Sequence, residues 1–388
     1  MKPYYENELG KLYHGDALDI LPHLEPADAI VTDPPYGLSF MGKSWDHGVP
    51  GREFWEEVQA KPGAFMLAFG GTRTSHRLTC AIEDAGWEIR DCMMWLYGSG
   101  FPKSLDISKA IDKAEGVERE VVGTRIADDI RGGNFVNQES ETHTINITAP
   151  ATDAAREWSG WGTALKPAYE PIIVARRPIE GTVAVNVLKY GTGGINVDGC
   201  RILGWKPQVV QGVNSNASSF NVAKERRIRG DSNVGRWPAN VIHDGSEEVL
   251  AGFPQTGGGG YSKSGGRNLD GPTRSFGSFN QSVKNAPDNY GDTGSAARFF
   301  YTAKASRRDR GKGNTHPTVK PFKLIRYLTR LVSRRGALVL DPFAGSCTLA
   351  VVCEHLRRRW ICIELEEASC ATGVKRIEAE RKQLKLFQ

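Results

Sequence analysis

The chain has 388 residues, of which 39% are hydrophobic and 24% charged, a composition that is ordinary for a folded globular protein. Its formal net charge of +5 permits a polyanionic partner but does not demand one. No basic leader and no long apolar run is present, so we expect a soluble, cytoplasmic protein and no membrane partner. The seven cysteines form no Cys-x-x-Cys pair, which argues against a metal site and predicts buried thiols.

The first predicted unit is a strand, a short helix and a second strand. Lys11 to Asp16 is interpreted as a strand that ends in a turn, and residues 17–24 as a helix with leucines on one side. The apolar run 29–31 belongs to the second strand, so the unit predicts a parallel sheet. Asp16 lies at the carboxyl end of its strand, where ligands bind in such sheets, although a helix N-cap is the simpler interpretation of Asp16 alone.

The second strand runs into Asp33-Pro34-Pro35-Tyr36. Neither proline can donate a ladder hydrogen bond, so the chain leaves the sheet in a stiff conformation. It presents a carboxylate, a carbonyl oxygen and an aromatic ring side by side. Two acceptors and a stacking face suit a planar base with an exocyclic amino group, whereas a plain turn at the end of a strand is the alternative.

The middle of the first half contains three further predicted strands. They are residues 64–69, 87–97 and 171–175, each of them apolar or aromatic. A helix is predicted over 107–115, and between 117 and 163 the pattern weakens into polar residues. We expect the 171–175 strand to pair antiparallel with the 87–97 strand across this excursion.

Residues 177–297 have a different composition, first mildly basic and then rich in glycine, serine and asparagine. They could be a disordered insertion, but basic and aromatic residues interleave, and such side chains neutralise phosphates and stack on bases. We therefore favour a region that grips nucleic acid. Four basic residues that follow this region are candidate phosphate contacts: Lys304, Arg307, Arg308 and Arg310.

The C-terminal part predicts a second strand–helix–strand unit. A helix that begins near Pro321 is followed by a strand over 337–341, a turn that contains Gly345, a helix from Thr348 and a strand that ends at Glu364. A glycine turn followed by a strand with a terminal acid is typical of nucleoside binding. The G-x-G-x-x-G phosphate fingerprint is incomplete, so a ligand without a pyrophosphate fits better than NAD.

Several of these segments resemble motifs of the amino DNA methyltransferases. Asp33 to Tyr36 resembles the catalytic motif of that family, and residues 341–348 resemble its cofactor motif. Residues 316–321 resemble the motif ahead of the cofactor motif, and residues 15–18 one near the adenine ring of the cofactor. The order of the motifs matches the β group of the family. Cys347 stands where the family usually has a third glycine.

The resemblance implies S-adenosylmethionine as the cofactor and assigns roles to residues of this chain. The implied catalytic residues are Asp33, Pro34, Pro35 and Tyr36. The implied cofactor-binding residues are Asp16, Ala17, Thr318, Lys320, Asp341, Pro342, Phe343, Gly345, Ser346 and Glu364. Neither a metal ion nor a nucleophilic cysteine is required.

The implied fold is α/β, a doubly wound, mostly parallel, seven-stranded Rossmann-like sheet with an antiparallel hairpin and an inserted target-recognition region. Residues 1–176 would form the catalytic half of one domain, 177–297 the insertion and 298–388 the cofactor-binding half. The motif order also predicts that the strand around Tyr13 lies beside the strand around Ile361, so that both chain ends close one sheet.

The implied reaction is methylation of a flipped base in double-stranded DNA. Asp33 at the first motif position favours adenine N6, and cytosine N4 is the alternative. No restriction nuclease motif is visible. We therefore expect an orphan methyltransferase, similar to those of restriction-modification systems, and not one fused to a nuclease. A homodimer is left open. A nucleotide-dependent oxidoreductase and a nucleic-acid-binding protein without catalysis are rival interpretations, and an RNA or protein acceptor is a further one.

Overall fold

The computed structural model describes residues 1–38, 48–100, 104–128, 142–202, 235–256, 294–303, 309 and 319–386. Several residues singled out from the sequence lie outside these ranges. They are the four candidate phosphate contacts Lys304, Arg307, Arg308 and Arg310, the cofactor candidate Thr318, and the glycine-rich stretch 257–293. Their roles stay predictions.

The described strands account for one main sheet and two small hairpins. In chain order they are β1 (Tyr5–Glu6), β2 (Gly10–His14), β3 (Ala27–Thr32), β4 (Ala60–Phe69), β5 (Glu88–Leu96), β6 (Val121–Asp128), β7 (Thr142–Thr148), β8 (Tyr169–Arg176), β9 (Val241–His243), β10 (Gln255–Thr256), β11 (Gly294–Ser295), β12 (Tyr301–Thr302), β13 (Leu338–Asp341) and β14 (Arg359–Glu364).

The described α-helices alternate with these strands or follow them along the chain. In chain order they are α1 (Ala17–Ile20), α2 (Arg52–Glu56), α3 (Ser75–Asp84), α4 (Ile107–Ala114), α5 (Asp153–Glu157), α6 (Val183–Tyr190), α7 (Glu247–Ala251), α8 (Phe322–Val332), α9 (Thr348–Leu356) and α10 (Glu367–Lys385). No helix within the described ranges is both long and apolar enough to cross a bilayer.

The main sheet has the strand order β1-β2-β14-β13-β3-β4-β8-β5-β9-β12. Seven strands, from β2 to β5 in this order, form its body, and the very short β1, β9 and β12 extend its two sides. Neighbours from β2 to β4 run parallel, whereas β8 runs antiparallel to both β4 and β5. The predicted mostly parallel sheet and the antiparallel pairing of β5 with β8 are confirmed.

The two chain ends meet in the centre of this sheet. β14 pairs with β2 in parallel, with Ile361 opposite Lys11 and Ile363 opposite Tyr13, and β13 pairs with β3. The prediction that both ends close one sheet is therefore confirmed. Because carboxyl ends of parallel strands share one edge, the residues that follow β2, β14, β13 and β3 emerge side by side.

The core lies in two apolar layers, one on each face of the sheet. Alternate residues of β3 point to opposite faces, so Val31 joins the layer under α8, α9 and α10, whereas Ile30 joins the layer under α1, α2 and α3. Val31 and Ile30 are both buried, as expected for parallel strands that are covered on both sides. This three-layer arrangement is the predicted doubly wound fold.

Two parts of the chain contain structure that the sequence pattern did not predict. The polar excursion 117–163 holds an antiparallel hairpin, β6 with β7, in which Thr124 lies opposite Asn146. Within 177–297, β9 pairs with β5 and adds a strand to the main sheet. The division of the chain at residues 176 and 297 stays a prediction.

Candidate active site

A cavity of about 710 Å³ opens at the carboxyl edge of the parallel strands. Every described residue of the predicted catalytic and cofactor sets lines it. These are Asp16, Ala17, Asp33, Pro34, Pro35, Tyr36, Lys320, Asp341, Pro342, Phe343, Gly345, Ser346 and Glu364. Tyr36 and Glu364, which lie far apart in the chain, thus face one shared space.

The Asp33–Tyr36 segment is held by hydrogen bonds at its aromatic end. The Tyr36 hydroxyl donates to Asp33 Oδ1 at 2.9 Å, and the Tyr36 carbonyl accepts from Thr74 Oγ1 at 2.6 Å. A side chain at Gly71 would come within 3.2 Å of the Tyr36 side chain, so glycine leaves room for it. Burial, followed by the charges of Asp33 and Glu170, raises the pKa of Tyr36 well above its ordinary value, which keeps the hydroxyl protonated.

Lys320 lies against the catalytic motif. Its Nζ is 2.5 Å from Asp33 Oδ2, 3.2 Å from the Tyr36 hydroxyl and 3.3 Å from Glu170 Oε2, and it lies 4.9 Å from the centre of the Phe69 ring. Burial lowers the pKa of Lys320, but the two carboxylates together raise it above its ordinary value, so the ammonium stays charged. The predicted role of Lys320 in cofactor binding is untested, and its contacts are with Asp33, Tyr36 and Glu170.

Glu170 is a site residue that the sequence did not reveal. It lies near the amino end of β8, and because β8 is antiparallel, this end shares an edge with the carboxyl ends of the parallel strands. Its Oε2 lies 3.2 Å from the Tyr36 hydroxyl oxygen, and burial raises the pKa of its carboxyl. One feature of the sequence could have revealed Glu170. It is an acidic residue directly before an apolar strand that is predicted to run antiparallel.

Asp341 lies at the end of β13, between the catalytic motif and the glycine turn. Its Oδ1 accepts from the Thr32 hydroxyl at 2.7 Å and from the Phe343 amide at 3.1 Å. Burial raises the pKa of Asp341 to about 7, although both hydrogen bonds lower it. Thr32, which joins β3 to β13 through this bond, is a further residue that the sequence did not reveal.

Glu364 is tied to the glycine turn. Its Oε2 accepts from the Gly345 amide at 2.6 Å, and its Oε1 accepts from the Glu366 amide at 2.8 Å. Burial raises the pKa of Glu364, and these amides act against that rise. Asp16 caps α1 by accepting from the Leu18 amide at 2.9 Å, so the helix-cap interpretation is confirmed, and Asp16 also lines the cavity.

The turn between β13 and α9 adopts a left-handed backbone twice. Gly345 has φ of 52° and Cys347 has φ of 59°, a conformation that glycine adopts without strain. The Cys347 side chain is fully buried against α10, where a Cβ added to Gly373 would come 2.3 Å from Cys347 Sγ. Cys347 can therefore stand where the family usually has a glycine, because Gly373 of α10 has no side chain and leaves room for the Cys347 sulfur.

The cavity has the chemistry of a nucleoside-type pocket joined to an amine-accepting site. Carboxylates from neighbouring strands make one end acidic, and Asp33 with Tyr36 forms the other. Across the described residues, no group of histidine, cysteine and acidic side chains could hold a metal ion. Fold and cavity together define a doubly wound α/β protein whose cavity suits a nucleoside-like ligand beside a planar, amine-bearing one.

Comparison with known proteins narrows this class. Residues 218–375 match the model of the N6_N4_Mtase family, described as DNA methylase. Over this segment, which is less than half of the chain, the sequence is similar to the DNA methylases of that family. The segment holds the cofactor motif, whereas Asp33 to Tyr36 lies outside it.

Local similarity to curated proteins agrees with this family. The chain is 33% identical over 89 residues to the type II methyltransferase M2.DpnII of Streptococcus pneumoniae, which is 23% of this chain and 33% of that protein. It is 40% identical over 65 residues to M.HpaI of Haemophilus parainfluenzae, and 38% identical over 63 residues to the DNA adenine methyltransferase YhdJ of Escherichia coli; these matches cover 17% and 16% of this chain and 21% of each relative. The matches therefore span about a fifth to a third of the curated relatives.

Solved structures overlap over nearly the whole chain but only loosely. The M1.HpyAVI–SAM complex aligns at 14% identity and a TM-score of 0.42, with 95% of this chain and 99% of that chain covered. The PvuII cytosine-N4-specific DNA methyltransferase aligns at 16% identity and a TM-score of 0.42, with 97% and 88% covered. The fold assignment rests on the strand order and register described above.

Proposed function

We propose that this protein is a DNA methyltransferase that transfers a methyl group from S-adenosylmethionine to the exocyclic amino group of a flipped base, adenine N6. The observation that carries the proposal is the shared cavity, into which both Asp33–Tyr36 and the Asp341–Glu364 pocket open. The family match over residues 218–375 supports the same reaction.

The acidic end of the cavity suits this cofactor. S-adenosylmethionine carries positive charge and hydroxyl groups, and Asp16, Asp341 and Glu364 offer carboxylates that can attract the first and accept hydrogen bonds from the second. The volume of about 710 Å³ lies within the range of pockets for ligands of this size. The bound cofactor would supply an electrophilic methyl group.

The residues of the chain would act mainly by positioning. Asp33 and the Pro34 carbonyl would accept hydrogen bonds from the amino group of the base, which directs the nitrogen lone pair away from the ring. Tyr36 would stack on the base once it has left the helix. Because no protein nucleophile takes part, the rate would depend on alignment and on the electrostatics of the buried site.

The choice of adenine rests on Asp33 at the first motif position and on the local similarity to a DNA adenine methyltransferase. The test incubates the purified chain with unmethylated genomic DNA and isotopically labelled S-adenosylmethionine, followed by mass spectrometry of the nucleosides. Labelled N6-methyladenine is the expected product. Labelled N4-methylcytosine would redirect the base assignment, and an absence of label in any nucleoside would refute the function.

The same assay is repeated with heat-denatured DNA, RNA or a protein mixture as the methyl acceptor in place of double-stranded DNA. We expect double-stranded DNA to be the preferred acceptor. Titration with reduced nicotinamide dinucleotide tests the rival interpretation. An oxidoreductase would bind this dinucleotide, whereas the proposed methyltransferase would not.

A further inference from the structure

Lys320 lies between two carboxylates rather than in a simple ion pair. Its Nζ is 2.5 Å from Asp33 Oδ2 and 3.3 Å from Glu170 Oε2, and the Lys320 side chain is only 10% exposed. The Tyr36 hydroxyl bridges the same two acids, at 2.9 Å from Asp33 and 3.2 Å from Glu170. Four side chains therefore form one closed polar cluster within the apolar wall of the cavity.

This arrangement engages the carboxylate on which the proposed reaction depends. One oxygen of Asp33 accepts from Tyr36 and the other accepts from Lys320. A base amino group that approaches Asp33 Oδ2 meets the shorter of these bonds, which is also the charge-assisted one. A buried ammonium leaves its partner only if another acceptor takes it, because an unpaired charge in an apolar site is strongly disfavoured.

We propose that Glu170 is a positioning residue that receives the Lys320 ammonium when a base amino group engages Asp33. Glu170 Oε2 is already 3.3 Å from Nζ, so a small movement along a flexible lysine stem completes the exchange. The Tyr36 hydroxyl, 3.2 Å from Nζ, remains within reach of both acids. This inference rests on the proposed function and adds one residue to it.

The position of Glu170 in the fold supports an exchange rather than a fixed pair. Glu170 comes from β8, whereas Asp33 follows β3, and β4 separates these two strands in the sheet. Phe69, the last residue of β4, supports the ammonium with its ring at 4.9 Å. The two acceptors are thus held by separate strands. The Lys320 side chain can move from one acceptor to the other.

The alternative is that Glu170 only neutralises a buried lysine and stabilises the fold. Two variants distinguish these roles: Glu170→Gln alone, and Glu170→Gln combined with Lys320→Met. The matched control is Glu88→Gln. Glu88 forms an ion pair with the largely buried Arg176 at 2.5 Å, but it lies at the start of β5, at the edge of the sheet away from the cavity.

The experiment measures kcat for methyl transfer to unmethylated DNA, the cofactor Kd by isothermal titration, and thermal melting. Glu170→Gln is expected to lower kcat at least about tenfold while the cofactor Kd stays within about twofold, because only the availability of Asp33 changes. Adding Lys320→Met should raise kcat above that of Glu170→Gln, because the competing ammonium is gone. Glu88→Gln should keep the kcat of the unsubstituted chain.

Several outcomes would overturn the role of Glu170. An unimpaired kcat in Glu170→Gln refutes it, and so does a double variant that is slower than Glu170→Gln, because loss of the competing ammonium should leave Asp33 more available. If Glu170→Gln does not fold, the double variant is compared with Lys320→Met alone: without an ammonium to receive, the two should have equal kcat, and a slower double variant refutes the role. An unsubstituted chain that transfers no methyl group refutes the proposed function and this inference together.

Discussion

Asp33 is the residue on which the proposed chemistry depends most directly. Asp33→Ala is expected to lower methyl transfer by about 10²-fold or more, because a preorganised acceptor for the amino group is lost. Cofactor affinity should change little, since Asp33 follows β3 whereas Glu364 ends β14, and β13 lies between these strands. Incorporation of labelled methyl groups and isothermal titration of the cofactor measure the two quantities.

Two further variants calibrate that result. Asp19→Ala makes the same change on the exposed side of α1 and should leave both quantities unaltered. Gly345→Val should give the reverse pattern and abolish cofactor binding first, because Gly345 has a positive φ that valine does not tolerate. Full turnover by Asp33→Ala would contradict the proposed role.

Asp341 links cofactor binding to pH. Its pKa of about 7 in the folded chain means that the carboxyl is partly protonated near neutrality, whereas a positively charged cofactor favours the ionised form. Cofactor affinity should therefore increase as the pH rises from about 6 to about 8, by at most about tenfold per pH unit below the pKa. Titration calorimetry across this range should show the slope, and Asp341→Asn should flatten it.

The same pKa makes a separate statement about stability without cofactor. The folded carboxyl holds its proton up to about pH 7, and the unfolded one releases it near 3.8. Between these values the folded state binds more protons, so this contribution to stability is present at low pH and is lost as the pH rises through about 7. The melting temperature of Asp341→Asn should fall less between pH 5 and pH 8 than that of the unsubstituted chain.

At the scale of secondary-structure elements, the turn that contains Gly345 packs on α10 where Cys347 meets Gly373. Gly373→Ala would place a Cβ 2.3 Å from Cys347 Sγ, so the turn or the helix must shift. We expect a loss of about 1–3 kcal/mol in the free energy of unfolding and weaker cofactor binding. In a Cys347→Gly background the same alanine meets no sulfur, and the added cost of Gly373→Ala should largely disappear.

A double-mutant cycle of thermal melting and cofactor titration measures this coupling. Gly252→Ala is the control, because its added Cβ would make only an ordinary 3.4 Å contact. If the costs of Cys347→Gly and Gly373→Ala simply add, the contact does not connect the turn to the helix.

Elements with a strong apolar period were predictable, and short or partly polar ones were not. β3, β4, β13 and β14 are buried runs that end at glycine, proline or acidic residues, so both their existence and their ends could be inferred from the sequence. The β6–β7 hairpin exposes its apolar residues, and β9 and β12 have three and two residues, too few to show a period.

The site was predictable where it follows the carboxyl end of a parallel strand and was missed elsewhere. Asp16, Asp33, Asp341 and Glu364 could all be found by that rule. Glu170 lies at the amino end of an antiparallel strand, and the rule does not cover that position. The partners of Lys320 could not be inferred either, because they depend on how α8 approaches the sheet, which no local pattern encodes.

At the scale of the whole molecule, buried Glu354 fastens the chain ends to each other. Its Oε1 accepts from Asn7 Nδ2 at 2.8 Å and from Trp360 Nε1 at 2.9 Å, and its Oε2 lies 3.4 Å from Arg381 Nη1. Glu354→Ala should lower the free energy of unfolding by about 2–3 kcal/mol, because the buried Trp360 Nε1 loses its acceptor and two partly buried donors each lose one. Thermal melting measures the loss.

His355→Ala is the neighbouring control, since His355 makes a partly exposed contact with Glu380 and an edge-on contact with the Phe322 ring. At temperatures where Glu354→Ala remains folded, its methyl transfer should equal that of the unsubstituted chain. A loss of activity without a loss of stability would mean that Glu354 acts on the cavity rather than on the junction of the chain ends.

Because β13 and β14 lie between β2 and β3, the order in which the strands are translated affects how the sheet can form. The ribosome releases β2 and β3 long before β13 and β14, yet β13 and β14 separate β2 from β3 in the finished sheet. Until residue 364 has left the exit tunnel, the early strands lack neighbours and have exposed edges that invite wrong partners. The nascent polypeptide therefore cannot complete the sheet before β14 has emerged, and premature stop codons before β14 should yield aggregating fragments.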